Sequence, residues 1–198
     1  MAKQLNWHLV ERLLRQNNLP LFTPQDLQHL CGASEIALRF LLTRAVKRGD
    51  ALKFRRGLYG LAAHPPSELE LANHLYVPSY LSFTFALSYY HLIPETVYTI
   101  TSATTRTTAT FTALGKSFVY HRIKRTAFTG YTPTPIHQRV VWIAEPEKAV
   151  VDMLYLVALG KHSLPERLDL TPLSRLKLHT FAQLFNYPKL EALLEQIL

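Results

Sequence analysis

The sequence predicts an α+β chain: a small N-terminal piece of helices and one hairpin, then a mixed sheet-and-helix piece. Three observations predict it. Residues 23–61 read as helix, turn, basic helix and β-hairpin, in that order. His64-Pro65-Pro66-Ser67 then interrupts regular structure, because two prolines fix their own φ and withhold two backbone donors. Beyond that break, threonine-rich alternation lies between stretches of helical periodicity. The expected domains are therefore 1–64 and 68–198, with a linker at about 63–68.

In the first piece, Trp7, Val10, Leu13 and Leu14 share one helical face, and Leu19-Pro20 stops that helix. Thr23-Pro24-Gln25-Asp26 opens the next. It has a threonine cap, proline at the first helical position and an acid three residues after the cap, a capping box with Asp in the usual Glu place. Leu27 and Leu30 face inward, and Gly32 ends the helix. Ser34 opens a third helix, in which Ile36, Phe40, Leu41, Ala45 and Val46 are expected to be buried and Arg39, Thr43 and Lys47 to lie opposite. Gly49-Asp50 closes it. Residues 51–61 read as a hairpin with Arg55 and Arg56 at the tip beside Gly57. Helix, turn, helix and wing is the plan of a winged helix-turn-helix.

In the second piece, residues 68–76 and 79–92 read as helices, the latter opened by Ser79 or Ser82 and closed before Pro94. Half of the sixteen residues from 97 to 112 are threonine, alternating in part with Val, Tyr, Ile and Phe, which predicts a strand. Residues 117–123 and 139–144 are the other strand candidates. Pro146 starts a helix with Glu147 in its first turn, and apolar residues surround that helix, which makes it the central buried helix. Leu190, Leu193, Leu194 and Ile197 mark a helix at the end of the chain.

The chain has 198 residues, 48% of them hydrophobic, so a packed core is expected and global disorder is not. Its formal charge is +8, unevenly spread. Residues 1–66 hold ten Lys and Arg, Lys3 among them, against four acids, and residues 67–198 hold twelve against ten. The first third therefore carries most of the positive field, which favours a polyanionic partner. A single cysteine, Cys31, excludes an intrachain disulfide and suits a reducing compartment. The first residues lack the apolar core of a signal peptide, and no run approaches the ~18 apolar residues of a membrane span. A cytoplasmic protein without membrane association is expected.

The second helix of a helix-turn-helix enters the major groove, where its N-terminal residues reach base edges. Ser34, Glu35, Leu38, Arg39 and Thr43 are the candidates for that role, with Arg39 able to fork onto a guanine. Arg44, Lys47 and Arg48 suit phosphates, which add affinity without reading sequence. Lys53, Arg55, Arg56 and Gly57 extend the set onto the hairpin, a projecting element suited to phosphate or minor-groove contact. The bland reading of the same residues is a solvated basic face.

Other chemistry has weaker signals. Cys31 reads as a small buried thiol. Nine histidines, from His8 to His179 and including His137, form no His-x-His, His-x-x-x-His or His-Glu-x-x-His pattern, so no metal site is expected. No glycine-rich phosphate loop is present, and no cofactor is expected. Ser174-Arg175-Leu176-Lys177 matches Ser-x-x-Lys in letters only. Glu145, Glu147, Lys148 and Asp152 cluster along one helix and leave open a DNA-acting enzyme in the second domain, although a helix start with one paired aspartate also explains them. The aromatic-dense stretch Tyr80, Phe83, Phe85, Tyr89 and Tyr90 is either core or interface.

Nearly the whole chain resembles the AbiEi family, the antitoxins and transcriptional repressors of AbiE abortive-infection toxin–antitoxin systems. Three stretches carry the resemblance. The first lies in the N-terminal piece, with Phe22-Thr23-Pro24-Gln25-Asp26-Leu27 and Arg56-Gly57-Leu58-Tyr59. The second is Tyr80-Leu81-Ser82-Phe83-Thr84-Phe85-Ala86-Leu87-Ser88-Tyr89-Tyr90-His91-Leu92, and the third is Ala144-Glu145-Pro146-Glu147-Lys148-Ala149-Val150-Val151-Asp152. The resemblance implies a non-enzymatic phage-defence protein that binds inverted repeats in its own promoter, with a C-terminal domain that counters a cognate nucleotidyltransferase toxin. Pairing of two copies, at least on DNA, is expected, since one such module reads only a short half-site. A stand-alone regulator without a toxin is the neighbouring alternative.

Overall fold

The computed structural model describes residues 5–136 and 139–198. Lys3 and His137 lie outside the described residues. The chain divides into two compact units, Met1–Ser67 and Glu68–Leu198, with the division one residue after Pro65-Pro66. Both helices and strands build each unit, so the chain is α+β. Among the described residues no helix is long and apolar enough to cross a membrane.

In the first unit, helix α1 (Trp7–Gln16) is capped by Asn6, whose side chain accepts from Leu9 N at 2.9 Å. It buries Trp7, Val10 and Leu14. Helix α2 (Pro24–Cys31) begins with the full capping box. Thr23 Oγ1 accepts from Asp26 N at 3.2 Å, and Thr23 N donates to Asp26 Oδ2 at 2.7 Å. Gly32 ends it in the left-handed region, at φ 64°. Helix α3 (Glu35–Arg48) follows two residues later. Strand β2 (Ala51–Arg55) and strand β3 (Leu58–Leu61) form the hairpin, with Arg56-Gly57 as a two-residue turn. A third strand, β1 (Leu21–Phe22), pairs antiparallel with β3 and was not foreseen, since two residues carry no periodicity. Val10, Leu14, Phe22, Leu27, Leu38, Leu42, Ala45 and Leu61 fill the core between helices and sheet.

The rotational setting of α3 differs from expectation. Leu38, Leu41, Leu42 and Ala45 are its buried residues, whereas Ile36 and Phe40 point to solvent. The buried four follow the i, i+3, i+4, i+7 pattern of a single stripe. Burying them beside Leu27 and Val10 is worth ~1.5–3 kcal/mol for each leucine. Leu38, expected at a base edge, is fully buried and unavailable to a partner.

In the second unit, helix α4 (Glu68–Leu75) leads to a six-stranded sheet. Its strands are β4 (Ser79–Leu81), β5 (Ile100–Thr104), β6 (Ala109–Ala113), β7 (Lys116–Arg122), β8 (Tyr131–Ile136) and β9 (Arg139–Ala144), in the order β6-β7-β5-β4-β9-β8. Neighbours pair antiparallel except β5 with β7 and β4 with β9, which are parallel. Helix α5 (Phe83–Tyr89) follows β4 directly. Helices α6 (Pro146–Ala158), α7 (Arg175–Gln183) and α8 (Pro188–Ile197) complete the unit, with α5, α7 and α8 all packing on α6.

Two expectations are corrected here, and one strand is new. Residues 79–92 are not one helix: 79–81 form a strand, and the helix spans only Phe83–Tyr89. Residues 97–112 are not one strand but β5 and part of β6, with irregular backbone between them. Strand β8 was unforeseen because it holds Pro133 and Pro135. The sheet accepts them because β8 is an edge strand, paired only with β9.

Candidate nucleic-acid interface

The outward face of α3 is built by local chemistry at both of its ends. Ser34 Oγ caps the helix by accepting from Ala37 N at 3.3 Å, and Gly49, at φ 81°, ends it. Ser34 is exposed, so its hydroxyl proton stays available while its oxygen caps. Glu35 lies exposed in the first turn, where the helix dipole favours it. Arg39, Thr43, Arg44 and Lys47 are all exposed. Thr43 Oγ1 donates to Arg39 O at 2.8 Å, and Arg44 Nε donates to Phe40 O at 3.4 Å, so both side chains lie along their own helix. Among the described residues Arg39, Arg44 and Lys47 form no ion pair, which leaves three uncompensated cations on one helix. Arg48 differs: its Nε meets Asp50 Oδ2 at 2.8 Å. That exposed pair is worth at most ~1 kcal/mol and exchanges readily for a phosphate.

The hairpin supplies the second element. Lys53, Arg55 and Arg56 are exposed, and Gly57 takes φ 79°, a conformation that suits glycine. Register shifts between Lys53 and Arg55, so Phe54 bulges out of the ladder. Its ring lies over Gly60, where a Cβ would sit 2.8 Å from Phe54 Cε2. The bulge re-aims the strand just before Arg55, whose Nη1 donates to Arg56 O at 3.3 Å. The sequence-predicted cations are therefore exposed on one helix and one hairpin of a single unit. What the sequence reading missed is the pair of apolar side chains among them: Ile36 is 70% exposed and Phe40 60%. The signal was present in the second, competing apolar stripe of α3, Leu38, Leu41, Leu42 and Ala45.

Cys31, the last residue of α2, is half-buried, and its Sγ donates to Leu27 O at 2.6 Å. Burial pushes its thiol up from the ordinary cysteine value, which opposes nucleophilic use.

The second unit's charged cluster is internal. Lys148 and Asp152, one turn apart on α6, are fully buried and ion-paired. Asp152 Oδ2 also accepts from Tyr80 Oη at 2.9 Å and Ser82 Oγ at 2.7 Å. One carboxylate thus ties α6 to both the end of β4 and the start of α5. Because Ser82 Oγ is engaged there, it does not cap α5. Thr101 on β5 takes that place, accepting from Phe85 N at 3.1 Å and donating to Ser82 O at 2.6 Å. Burial pulls the Lys148 ammonium below the usual lysine range, and Asp152 pulls it back. Burial, then the charge of Asp152, pushes the Tyr80 hydroxyl well above its usual value. Glu145 Oε2 meets Lys177 Nζ at 2.9 Å, and Glu147 Oε1 accepts from Ser174 N at 3.2 Å. Among the described residues no group of three or more His, Cys, Asp or Glu side chains is placed to hold a metal ion.

No protein-family model matches the chain. No curated protein matches it significantly either.

Proposed function

We propose that the first unit is a winged helix-turn-helix and that the protein is an antitoxin-type repressor. In this reading it binds inverted repeats in its own promoter, represses its own operon and counteracts a nucleotidyltransferase toxin encoded beside it. The observation that carries the DNA-binding part is the uncompensated cationic face of α3, Arg39, Arg44 and Lys47, in the same unit as a hairpin tipped by Arg55 and Arg56. A helix of ~10–12 Å diameter fits the ~12 Å major groove, where those cations meet phosphates on both walls. Ser34, Glu35, Arg39 and Thr43 are nearest the helix start and take the base edges. Arg44, Lys47 and Arg48 take phosphates, and Lys53, Arg55, Arg56 and Gly57 form the wing contact. Two copies pair on the symmetric site.

The antitoxin part rests on the resemblance of the Tyr80–Leu92 and Ala144–Asp152 stretches to the AbiEi family. In the second unit those two stretches meet at the Asp152 carboxylate, which gives their joint presence a physical reason. No cofactor, metal or membrane enters this reading, and the buried Lys148–Asp152 pair has a structural role in it.

A reporter gene behind the chain's own upstream DNA tests the proposal. Wild type should repress it, and a variant with Arg39, Arg55 and Arg56 changed to Ala should not. Co-expression with the adjacent gene should restore growth that the adjacent gene alone arrests. Equal repression by both proteins would remove the assigned interface, and absence of rescue would leave a regulator without a toxin.

A further inference from the structure

Ile36 and Phe40 are large apolar side chains held out of the core on the most exposed face of α3. They are not stray. Ile36, Phe40, Thr43 and Lys47 follow one another at i, i+4, i+7 and i+11, a single row along the helix. Thr43 belongs to the apolar part of that row, because its hydroxyl donates to Arg39 O and leaves its methyl as the group it offers a partner. Arg39 flanks the row on one side and Arg44 on the other, and Lys47 continues it. An apolar strip between cations is poorly suited to a second copy of itself, since the flanking charges would repel. It is well suited to the major groove, whose walls are phosphates and whose floor carries one apolar group, the 5-methyl of thymine.

We propose that Ile36, Phe40 and the Thr43 methyl form an apolar reading edge that packs on thymine 5-methyl groups, making these residues determinants of sequence specificity. The inference rests on the proposed insertion of α3 into the major groove. It assigns thymine positions at the centre of each half-site, bracketed by the base or phosphates that Arg39 and Arg44 contact.

The test uses the full chain and duplexes it selects from a randomised library. The best duplex is remade with deoxyuridine replacing thymidine at one position at a time, which deletes only the methyl group. Wild type should lose about fourfold in affinity at one or two positions, the equivalent of ~0.8 kcal/mol for a buried methyl. Phe40→Ala should lose a similar factor on the thymidine duplex and show no further loss at its matching deoxyuridine position. Ile36→Ala should do the same at a neighbouring position. Phe40 is mostly exposed, so its variant should keep the wild-type melting temperature. A wild type that still rejects scrambled DNA but binds thymidine and deoxyuridine duplexes equally overturns this edge and leaves the DNA-binding reading intact. A Phe40→Ala protein that keeps the full thymidine preference also overturns it. If no duplex is selected over random DNA, the groove assignment of α3 fails and this edge fails with it.

Discussion

At the scale of single residues, two side chains carry opposite kinds of information. Arg39 is exposed and in no ion pair among the described residues, which leaves its guanidinium open to a partner. If it forks onto a guanine, Arg39→Ala should cost ~1–3 kcal/mol on the selected site and relax one base position. Equal losses on selected and scrambled duplexes would make it a phosphate contact instead. Asp152 is the reverse case, fully buried and held by Lys148, Tyr80 and Ser82 inside the fold. Removing it strands the Lys148 ammonium and two hydroxyls, Tyr80 and Ser82, without their acceptor. Asp152→Ala should therefore cost ~3–5 kcal/mol in urea unfolding, as breaking a buried pair does. Lys148→Met should cost less, because Asp152 keeps two donors. A smaller loss for the Asp152 variant would contradict this ranking.

At the scale of elements, the β2–β3 hairpin carries the clearest prediction. Arg55 and Arg56 sit on the hairpin that follows a bulge, exposed at its tip. Changing both to Ala should weaken selected and scrambled DNA alike and reduce the salt slope of binding by about two units. An unchanged slope would remove the hairpin from the proposed interface. Elements were legible in the sequence where local chemistry specifies them. The capping box of α2 and the glycine turn of the hairpin are such cases, and so is Pro146 at the start of α6. They were illegible where distant partners decide. Ser79–Leu81 is a strand only because β5 and β9 lie on either side of it. The α3 sequence offers apolar residues all round, and Val10, Leu14 and Leu27 select which stripe turns inward. The cationic half of the candidate interface was therefore readable, and its apolar centre at Ile36 and Phe40 was not.

At the scale of the whole molecule, charge and acid response separate between the two units. Most of the positive excess lies in residues 1–66, so the proposed DNA affinity should fall steeply with salt. The second unit holds His121, packed edge-on to His162 at 4.9 Å. Burial first, then His162 and Lys161, lowers its pKa to about 4. The unfolded chain takes that proton near pH ~6.5. Between those values the unfolded state binds a proton that the folded state refuses, so this site's stability is complete at neutral pH and is lost as pH falls toward 4. His121→Gln should flatten the decline of the urea midpoint across that window relative to wild type. An equal or steeper decline would contradict it.

The most direct measurement is a titration of the purified full chain against its own upstream DNA at two salt concentrations, with scrambled competitor present. The proposed interface of α3 and the β2–β3 hairpin predicts tight binding to an inverted repeat that the competitor does not displace, weakening at the higher salt. Binding that the competitor abolishes, or that salt leaves unchanged, would contradict it and leave the exposed cations of the first unit as a solvated surface.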